Sequence, residues 1–195
     1  MSLDPLTLIH SLGLIGIFAI IFAESGLFFG FFLPGDSLLF TAGILASQNY
    51  LSIWFLVIGA TLCAILGDNV GYWFGKKIGP KLFTNEDSFF WNKKHIEKSH
   101  IFFQKYGKKS IILARFMPIV RTFTPILAGV GKMEYKTFIT CNIIGGALWV
   151  SLMSLLGFFF GKLIPNPDRY ILPIVLFIIV LSLLPAIVEF IKSKR

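Results

Sequence analysis

The chain has 195 residues, of which 55% are hydrophobic, and its mean hydropathy of +0.78 lies well above that of a soluble domain. Only 14% of the residues are charged, although the formal net charge is +8. This composition excludes an ordinary soluble domain and predicts an all-α polytopic membrane protein with a single membrane domain over residues 1–195. The positive charge is concentrated in one connecting segment, so it indicates membrane topology and anionic membrane lipids as partners, not nucleic acid.

Four stretches along the chain are long and apolar enough to form transmembrane helices, since crossing a bilayer takes about 20 residues. In chain order the predicted spans are residues 5–23, 52–75, 137–161 and 170–191. A basic segment over residues 76–110 carries nine lysines against three acidic residues. The positive-inside rule places this segment in the cytoplasm. With four crossings, the N- and C-termini are then both expected in the cytoplasm.

Two further apolar stretches are interrupted by turn-forming residues. Residues 24–47 contain a Pro-Gly-Asp turn at 34–36, and residues 111–131 contain Pro118 and Pro125. Broken apolar stretches in a membrane protein are typical of re-entrant pairs of half-helices. The predicted fold is therefore about four transmembrane helices plus two re-entrant half-helix segments.

An internal repeat is found when the sequence is shifted by 86 residues without a gap. Three segments of the first half then match three of the second, namely 41–43 with 127–129, 58–60 with 144–146, and 71–76 with 157–162. Each repeat holds one broken segment and one full span, so two tandem repeats must be inverted relative to each other. The predicted limits are about 24–79 for the first repeat and about 110–165 for the second, before the C-terminal helix at 170–191.

Four charged residues lie within the apolar segments, namely Glu24, Asp36, Arg115 and Arg121. An ionisable side chain in hydrocarbon costs from about 3 to over 10 kcal/mol, so the four are expected to share a polar cavity or to pair. Arginine binds phosphate oxygens through a planar fork, and a low dielectric favours the protonated form of a carboxylate. The set therefore suits proton-coupled movement of a phosphate-bearing molecule with an apolar tail.

Simpler roles remain open for three of these residues. Asp36 can act only as the N-cap of a half-helix over residues 37–46. Glu24 and Arg115 can form an inert buried salt bridge, or Arg115 can extend to the cytoplasmic interface. Arg121 lies deeper in the apolar run, between two prolines, and requires a partner.

Two threonines of the second broken segment are predicted to act as helix caps or secondary polar groups. Thr122 aligns with Asp36 in the repeat. Thr124 precedes Pro125, which predicts a second helix start with threonine as the N-cap and proline at the first helical position.

Polar residues within the full spans are expected to have supporting roles. Asp68 and Asn69 form a secondary polar site in the second span, for which packing or hydrogen bonding is the favoured role. Asn142 and Trp149 are expected to pack or cap within the third span.

No metal site is predicted from the histidines and cysteines. His10, His95 and His100 are scattered without metal-ligand spacing. Cys63 and Cys141 lie in separate apolar segments, where cysteine behaves as a small core residue. No cofactor is therefore predicted.

Taken together, these motifs resemble the DedA family, also known as the SNARE-associated or VTT-domain family, over roughly residues 15–165. The resemblance rests on Glu24, on the segments LPGDSLLFTAG (33–43), LGDNVGYWFGKKIG (66–79) and RFMPIVRTFTPILAGVGKM (115–133), and on Asn142, Gly145, Gly146 and Trp149. It implies a bacterial inner-membrane protein with two re-entrant segments. It also implies proton coupling by Glu24 and Asp36 and phosphate binding by Arg115 and Arg121.

Members of this family are implicated in returning undecaprenyl phosphate to the inner leaflet, in some cases with the proton motive force. The resemblance therefore implies a flippase for a lipid phosphate, expected to be proton-coupled and not an enzyme. The alternatives are a proton-coupled transporter of a small ion or cationic compound, and a general phospholipid scramblase. The expected partners are the lipid phosphate, protons and anionic membrane lipids, and assembly as a homo-oligomer is left open.

A lipid-phosphate phosphatase is disfavoured by the positions of the nucleophilic residues. All three histidines precede the arginine motif, so none follows it for a phosphohistidine mechanism. Neither cysteine lies in a Cys-x5-Arg loop.

Overall fold

A computed structural model of the protein describes residues 5–27, 33–82 and 109–163. Within these residues the regular secondary structure is entirely helical, as the composition predicts. Five helices have defined bounds, namely α1 (Pro5–Gly26), α2 (Gly35–Ser47), α3 (Ile53–Leu82), α4 (Pro118–Val130) and α5 (Tyr135–Lys162), and residues 109–114 are also helical. The predicted span 170–191 and most of the basic segment lie outside the described residues.

Two of the described helices are long and apolar enough to cross a membrane. They are Ile53–Lys77 within α3, with mean hydropathy 1.8, and the whole of α5, with mean hydropathy 2.0. They occupy the positions of the predicted second and third spans. Large apolar side chains such as Leu62 and Leu156 are about half exposed along them, which suits contact with lipid hydrocarbon. In α1 the apolar part whose side chains are described, Gly13–Gly26, is shorter.

The two broken segments each contain one apolar helix of intermediate length. α2 and α4 are both 13 residues long, about two thirds of the roughly 20 residues of a full span. Each ends in a tight turn with one residue of positive φ, Asn49 at 64° and Lys132 at 52°. These turns lead directly into α3 and α5.

The prediction that Asp36 is the N-cap of the first short helix is wrong. α2 begins at Gly35, and Pro34 is its N-cap, because the Pro34 carbonyl accepts the first helical hydrogen bond from the Leu38 amide at 2.9 Å. Asp36 therefore lies inside the first turn, two residues past the cap. A carboxylate there still interacts favourably with the helix dipole.

The predicted second helix start at Thr124 is also wrong. α4 runs without interruption from Pro118, at its first helical position, through Pro125. The Thr124 hydroxyl donates to the carbonyl of Val120 at 2.7 Å, one turn back within the same helix. Pro125 cannot donate the corresponding backbone bond to the carbonyl of Arg121.

The described residues form two compact units. Unit 1 contains residues 5–21, 33–60 and 150–163, and unit 2 contains residues 22–27, 61–82 and 109–149.

In unit 1, α2 packs closely against the C-terminal part of α5. A Cβ on Gly43 would lie 2.9 Å from the backbone nitrogen of Phe158, and one on Gly157 would lie 3.0 Å from the Cα of Phe40. Side chains at these two glycines would collide with backbone, so the glycines allow the close helix approach. The Gln48 amide adds a hydrogen bond to the Gly161 carbonyl at 2.9 Å.

In unit 2, α4 packs against α3 with the same spacing of contacts. A Cβ on Gly129 would lie 2.7 Å from the backbone nitrogen of Lys76, and one on Gly75 would lie 3.0 Å from the Cα of Ile126. The short helix of each predicted repeat thus packs on the long helix of the other repeat.

These matching contacts correct the gapless alignment of the repeat. From Phe40 to Ile126 is 86 positions, as the sequence predicts, but from Gly75 to Gly157 is 82. The long helices therefore correspond with a shift of about one helical turn relative to the short ones. The similar strings at 71–76 and 157–162 are one turn out of structural register.

The apolar core of unit 2 surrounds Tyr72. The Tyr72 ring stacks on Phe138 with a centroid separation of 4.6 Å, and its hydroxyl donates to the Met133 carbonyl at 2.6 Å. Ile111 and Cys141 complete this cluster, and Cys141 is a buried core residue as predicted.

Gly129→Ala is expected to lower the free energy of unfolding by about 1–3 kcal/mol, because the added methyl group would overlap the backbone of α3. Thermal unfolding in detergent, followed by helical circular dichroism, measures the change. Gly16→Ala is the matched control, since a Cβ at Gly16 would meet nothing within 4 Å. Equal stability of the two variants would contradict the packing described for unit 2.

Candidate functional site

Four charged side chains are buried together within unit 2. They are Glu24 at the end of α1, Asp68 on α3, Arg115 just before α4, and Arg121 on α4. Their exposures are 2%, 3%, 4% and 8%. The set carries two positive and two negative charges, and each arginine contacts one carboxylate.

Arg115 is held by two acceptors. Its Nη2 donates to Asp68 Oδ2 and to Asn142 Oδ1. The amide of Asn142 is itself oriented, because Nδ2 donates to the Ile65 carbonyl at 3.2 Å. Arg115 is therefore neutralised and fixed by residues of α3 and α5.

Two adjacent glycines of α5 make room for the Arg115 side chain. A Cβ on Gly145 would lie 3.1 Å from Arg115 Cγ, and one on Gly146 would lie 3.7 Å from Arg115 Cζ. Larger side chains at these positions would press on the guanidinium. The glycine pair thus belongs to the arginine site.

Arg121 has a different environment. Its Nη2 donates to Glu24 Oε1, and its Cζ lies 4.4 Å from the centroid of the Trp149 ring. This geometry is a cation–π interaction, which strengthens where water is excluded. Trp149 is fully buried, so its ring also shields one face of the guanidinium from water.

Glu24 is only partly satisfied. Its second oxygen, Oε2, is buried and accepts no hydrogen bond from any described residue. A buried acceptor without a partner costs about 1–3 kcal/mol, and more when it is charged. Glu24 therefore bonds Arg121 through one oxygen, while its other oxygen is a buried acceptor that no described donor satisfies.

The pairing corrects two interpretations of the sequence. Glu24 pairs with Arg121 and not with Arg115, whose carboxylate partner is Asp68. Arg115 does not extend out of the protein, because it is buried and its Nη2 is bonded to two buried acceptors.

The other predicted polar residues have separate surroundings. Asn69 donates to the Ile65 carbonyl at 2.8 Å and accepts from the Tyr135 hydroxyl at 3.0 Å, so it has a hydrogen-bonding role. Thr122 is buried on α4, next to Arg121 in the sequence. Asp36 is half-buried in the first turn of α2 and belongs to unit 1.

Three contributors to the site were assigned only supporting roles from the sequence. Asp68 and Asn142 bond Arg115 directly, and Trp149 lies against Arg121. The sequence of α5 does contain a pattern that indicates these roles. Asn142, the pair Gly145 and Gly146, and then Trp149 follow one another at intervals of three to four residues. That spacing places them on one face of a helix.

Asp68→Asn is expected to lower the free energy of unfolding by about 3–5 kcal/mol, because it leaves the buried Arg115 without a counter-charge. The double variant Asp68→Asn/Arg115→Gln removes both charges and is expected to recover at least half of that loss. Thermal unfolding in detergent compares the two. If the double variant is less stable than either single variant, the pair is not the source of the effect.

Comparison with known proteins connects this geometry to a family. Residues 33–159 match the VTT domain. The chain is 46% identical over 181 residues to Protein DedA of Escherichia coli (strain K12), covering 92% of this chain and 82% of that protein. It is 44% identical over 169 residues to an uncharacterized membrane protein of Mycobacterium leprae (strain TN), covering 87% and 75%.

A more distant similarity is to Inner membrane protein YqjA of Escherichia coli (strain K12), with 32% identity over 146 residues. That match covers 75% of this chain and 66% of YqjA. No solved structure matches the chain.

Proposed function

The chain belongs to the VTT-domain family of bacterial membrane proteins, which includes DedA, and on that basis we propose that it is a flippase for a lipid phosphate. Undecaprenyl phosphate is the proposed substrate, and movement between leaflets is proposed to be coupled to protons. The single observation that carries the proposal is the buried Arg121–Glu24 pair, in which one carboxylate oxygen has no partner among the described residues.

Arg121 is the proposed phosphate-binding residue. Its guanidinium can offer two parallel N–H groups to phosphate oxygens, which a lysine cannot do. Glu24 accepts from Nη2 of this guanidinium in the structure, and a phosphate that binds the guanidinium at two points is proposed to displace it. Trp149 would keep the guanidinium in place during the exchange, because the ring contact does not depend on Glu24.

Charge balance links phosphate binding to proton uptake. The Arg121–Glu24 pair is neutral, so a phosphate anion bound to Arg121 would leave the buried Glu24 carboxylate without a counter-charge. Protonation of Glu24 removes that charge and its desolvation cost. One proton would therefore enter with each singly charged phosphate and leave when Glu24 pairs with Arg121 again.

Arg115 has a different proposed role from Arg121. The resemblance assigns both arginines to the phosphate, but Arg115 already has a carboxylate and an amide as acceptors. Arg115 is therefore proposed to hold α3 and α5 around the site and to contribute positive potential, whereas Asp36 remains the proposed second proton carrier.

The topology proposed with this function follows the predicted repeat. α2 and α4 are proposed to be re-entrant half-helices of an inverted repeat, with four full crossings and both termini in the cytoplasm. Their 13-residue lengths support this, because a helix of that length reaches only about 20 Å. Cysteine accessibility at the exposed Asn49 and Lys132 turns tests it, since re-entry from opposite sides labels one turn from each face.

Reconstitution into liposomes tests the function. Undecaprenyl phosphate is placed in both leaflets, and the fraction open to an impermeant phosphate-directed reagent is followed with and without an imposed proton gradient. Faster, gradient-sensitive movement than in protein-free liposomes supports the proposal. Equal movement of a zwitterionic phospholipid without a gradient would indicate a scramblase instead.

The alternative function is a proton-coupled transporter of a small ion or cationic compound. The observed pairing favours it in one respect, since both arginines have carboxylate partners and can act as internal counter-charges. It predicts proton flux that requires a soluble solute and continues without any lipid phosphate. Such flux, with no lipid movement, would replace the flippase proposal.

A further inference from the structure

An open groove of about 550 Å³ runs along α3 in unit 2, and neither Arg115 nor Arg121 is among its lining residues. We name it the α3 groove. Phe22 of α1 forms one wall, and the other is formed by Leu66, Asn69, Val70, Trp73, Phe74 and Lys77. Its volume falls within the usual range of ligand pockets.

The groove exists because α1 and α3 meet closely at its base. A Cβ on Gly26 would lie 2.7 Å from the carbonyl oxygen of Gly67. This contact brings the backbone of α1 against α3, so that Phe22 can stand beside the α3 side chains. The groove is thus a feature of the helix packing and not of one flexible side chain.

The groove is apolar along its length and cationic at one end. Leu66, Val70, Trp73 and Phe74 are each between 41% and 57% exposed. The Asn69 side chain bonds the Ile65 carbonyl and the Tyr135 hydroxyl, so its hydrogen-bonding groups are already engaged. Lys77 is the only ionic residue in the lining, and the described part of the chain pairs it with no carboxylate.

The position of the groove matches one leaflet of a bilayer. Lys77 is the last residue of the α3 segment that is long and apolar enough to cross a membrane. From Leu66 to Lys77 the helix rises about 16 Å, and half of the hydrocarbon core is about 15 Å thick. A lysine at the end of a span places its ammonium at the level of the lipid headgroups.

From this combination we infer that the α3 groove binds one anionic phospholipid of the leaflet in which Lys77 lies. An acyl chain fills the apolar length between Phe22 and α3, and the lipid phosphate meets the Lys77 ammonium. Lys76 is not the headgroup partner, because its Nζ is held 5.0 Å above the Trp73 ring centroid and 5.8 Å from that of Tyr72. The site is distinct from the arginine pair and requires no transport.

Native mass spectrometry of the full chain in detergent tests the headgroup contact. The probes are phosphatidylglycerol, which is anionic, and phosphatidylethanolamine, which is zwitterionic. Lys77→Gln is expected to weaken phosphatidylglycerol binding about fivefold and to leave phosphatidylethanolamine binding unchanged. Lys162→Gln, at the end of the other candidate span, is the matched control and is expected to change neither. Equal effects of the two lysine variants would overturn the headgroup assignment.

Filling the groove tests the acyl-chain contact. Val70→Trp adds an indole in the middle of the groove from a half-exposed position and is expected to abolish the bound phosphatidylglycerol. Leu62→Trp, two turns away on α3 and outside the groove lining, is the control for folding and is expected to bind as wild type does. Retention of the lipid by Val70→Trp would overturn the proposal, whether or not the chain moves lipid phosphates.

Discussion

Arg121→Lys is expected to lower the rate of lipid-phosphate translocation by about tenfold to a hundredfold while the protein stays folded. Lysine keeps the positive charge, so the buried Glu24 still has a counter-charge and the fold is preserved. It loses the planar fork that holds a phosphate at two points, and it loses the planar contact with Trp149. A charge-assisted hydrogen bond is worth about 1.5–3 kcal/mol, which corresponds to this range of rates.

The measurement is the initial rate of undecaprenyl phosphate movement in liposomes, with thermal unfolding as the control for folding. Arg115→Lys provides the comparison, since Arg115 is bonded to Asp68 and Asn142 and is proposed to be structural. For that variant we expect a lower free energy of unfolding but little change in the translocation rate of each folded molecule. Full activity of Arg121→Lys, or a reversal of the two patterns, would show that the roles of the arginines are wrongly assigned.

The sequence predicted which residues needed partners, but not which partners they have. A charged residue within an apolar run has a high desolvation cost that the sequence alone reveals. Arg121 and Glu24 could therefore be identified without a structure. Which carboxylate reaches which guanidinium depends on how helices distant in the sequence pack, and Arg121 and Glu24 are 97 residues apart. Local spacing carries no information on that choice.

The errors at the helix starts have a common physical origin. Aspartate and threonine are favoured N-cap residues, so Asp36 and Thr124 were each predicted to begin a helix. In both cases the nearby proline has a different position from the predicted one. Pro34 itself takes the cap position before α2, whereas Pro125 is accommodated inside α4. α4 has 13 residues and packs on α3. Its packing energy as one continuous helix exceeds the cost of the one backbone hydrogen bond that Pro125 cannot make.

The sequence predicts a repeat, and the matching glycine contacts differ from that prediction in register. Strings such as GYWFGK and GFFFGK align because glycine and aromatic residues recur along both long helices at similar intervals. Packing selects Gly75 and Gly157 as equivalent, since each lies against a carbonyl of a short helix. Only the contact between elements distinguishes two candidate alignments that differ by one helical turn.

Glu24→Gln is expected to uncouple lipid-phosphate movement from the proton gradient. Glutamine has nearly the same shape but cannot carry the proton, so charge balance at Arg121 no longer requires proton uptake. Arg121 then loses the Glu24 carboxylate, and loss of one partner of a buried pair costs about 3–5 kcal/mol of stability. Translocation that is slow and insensitive to the gradient is the expected result in liposomes containing a pH-sensitive dye.

A binding measurement separates this outcome from simple damage to the fold. In the proposed wild-type exchange a phosphate displaces the Glu24 carboxylate from Arg121, whereas in Glu24→Gln that carboxylate is absent. Added undecaprenyl phosphate should therefore raise the unfolding temperature of Glu24→Gln more than that of the wild type, because a ligand that binds only the folded state stabilises it. Glu134→Gln, an exposed carboxylate that accepts from the Thr137 hydroxyl at 3.1 Å, is the matched control. If the lipid phosphate stabilises all three proteins equally, Glu24 does not compete with the phosphate for Arg121, and proton coupling must arise at another carboxylate such as Asp36.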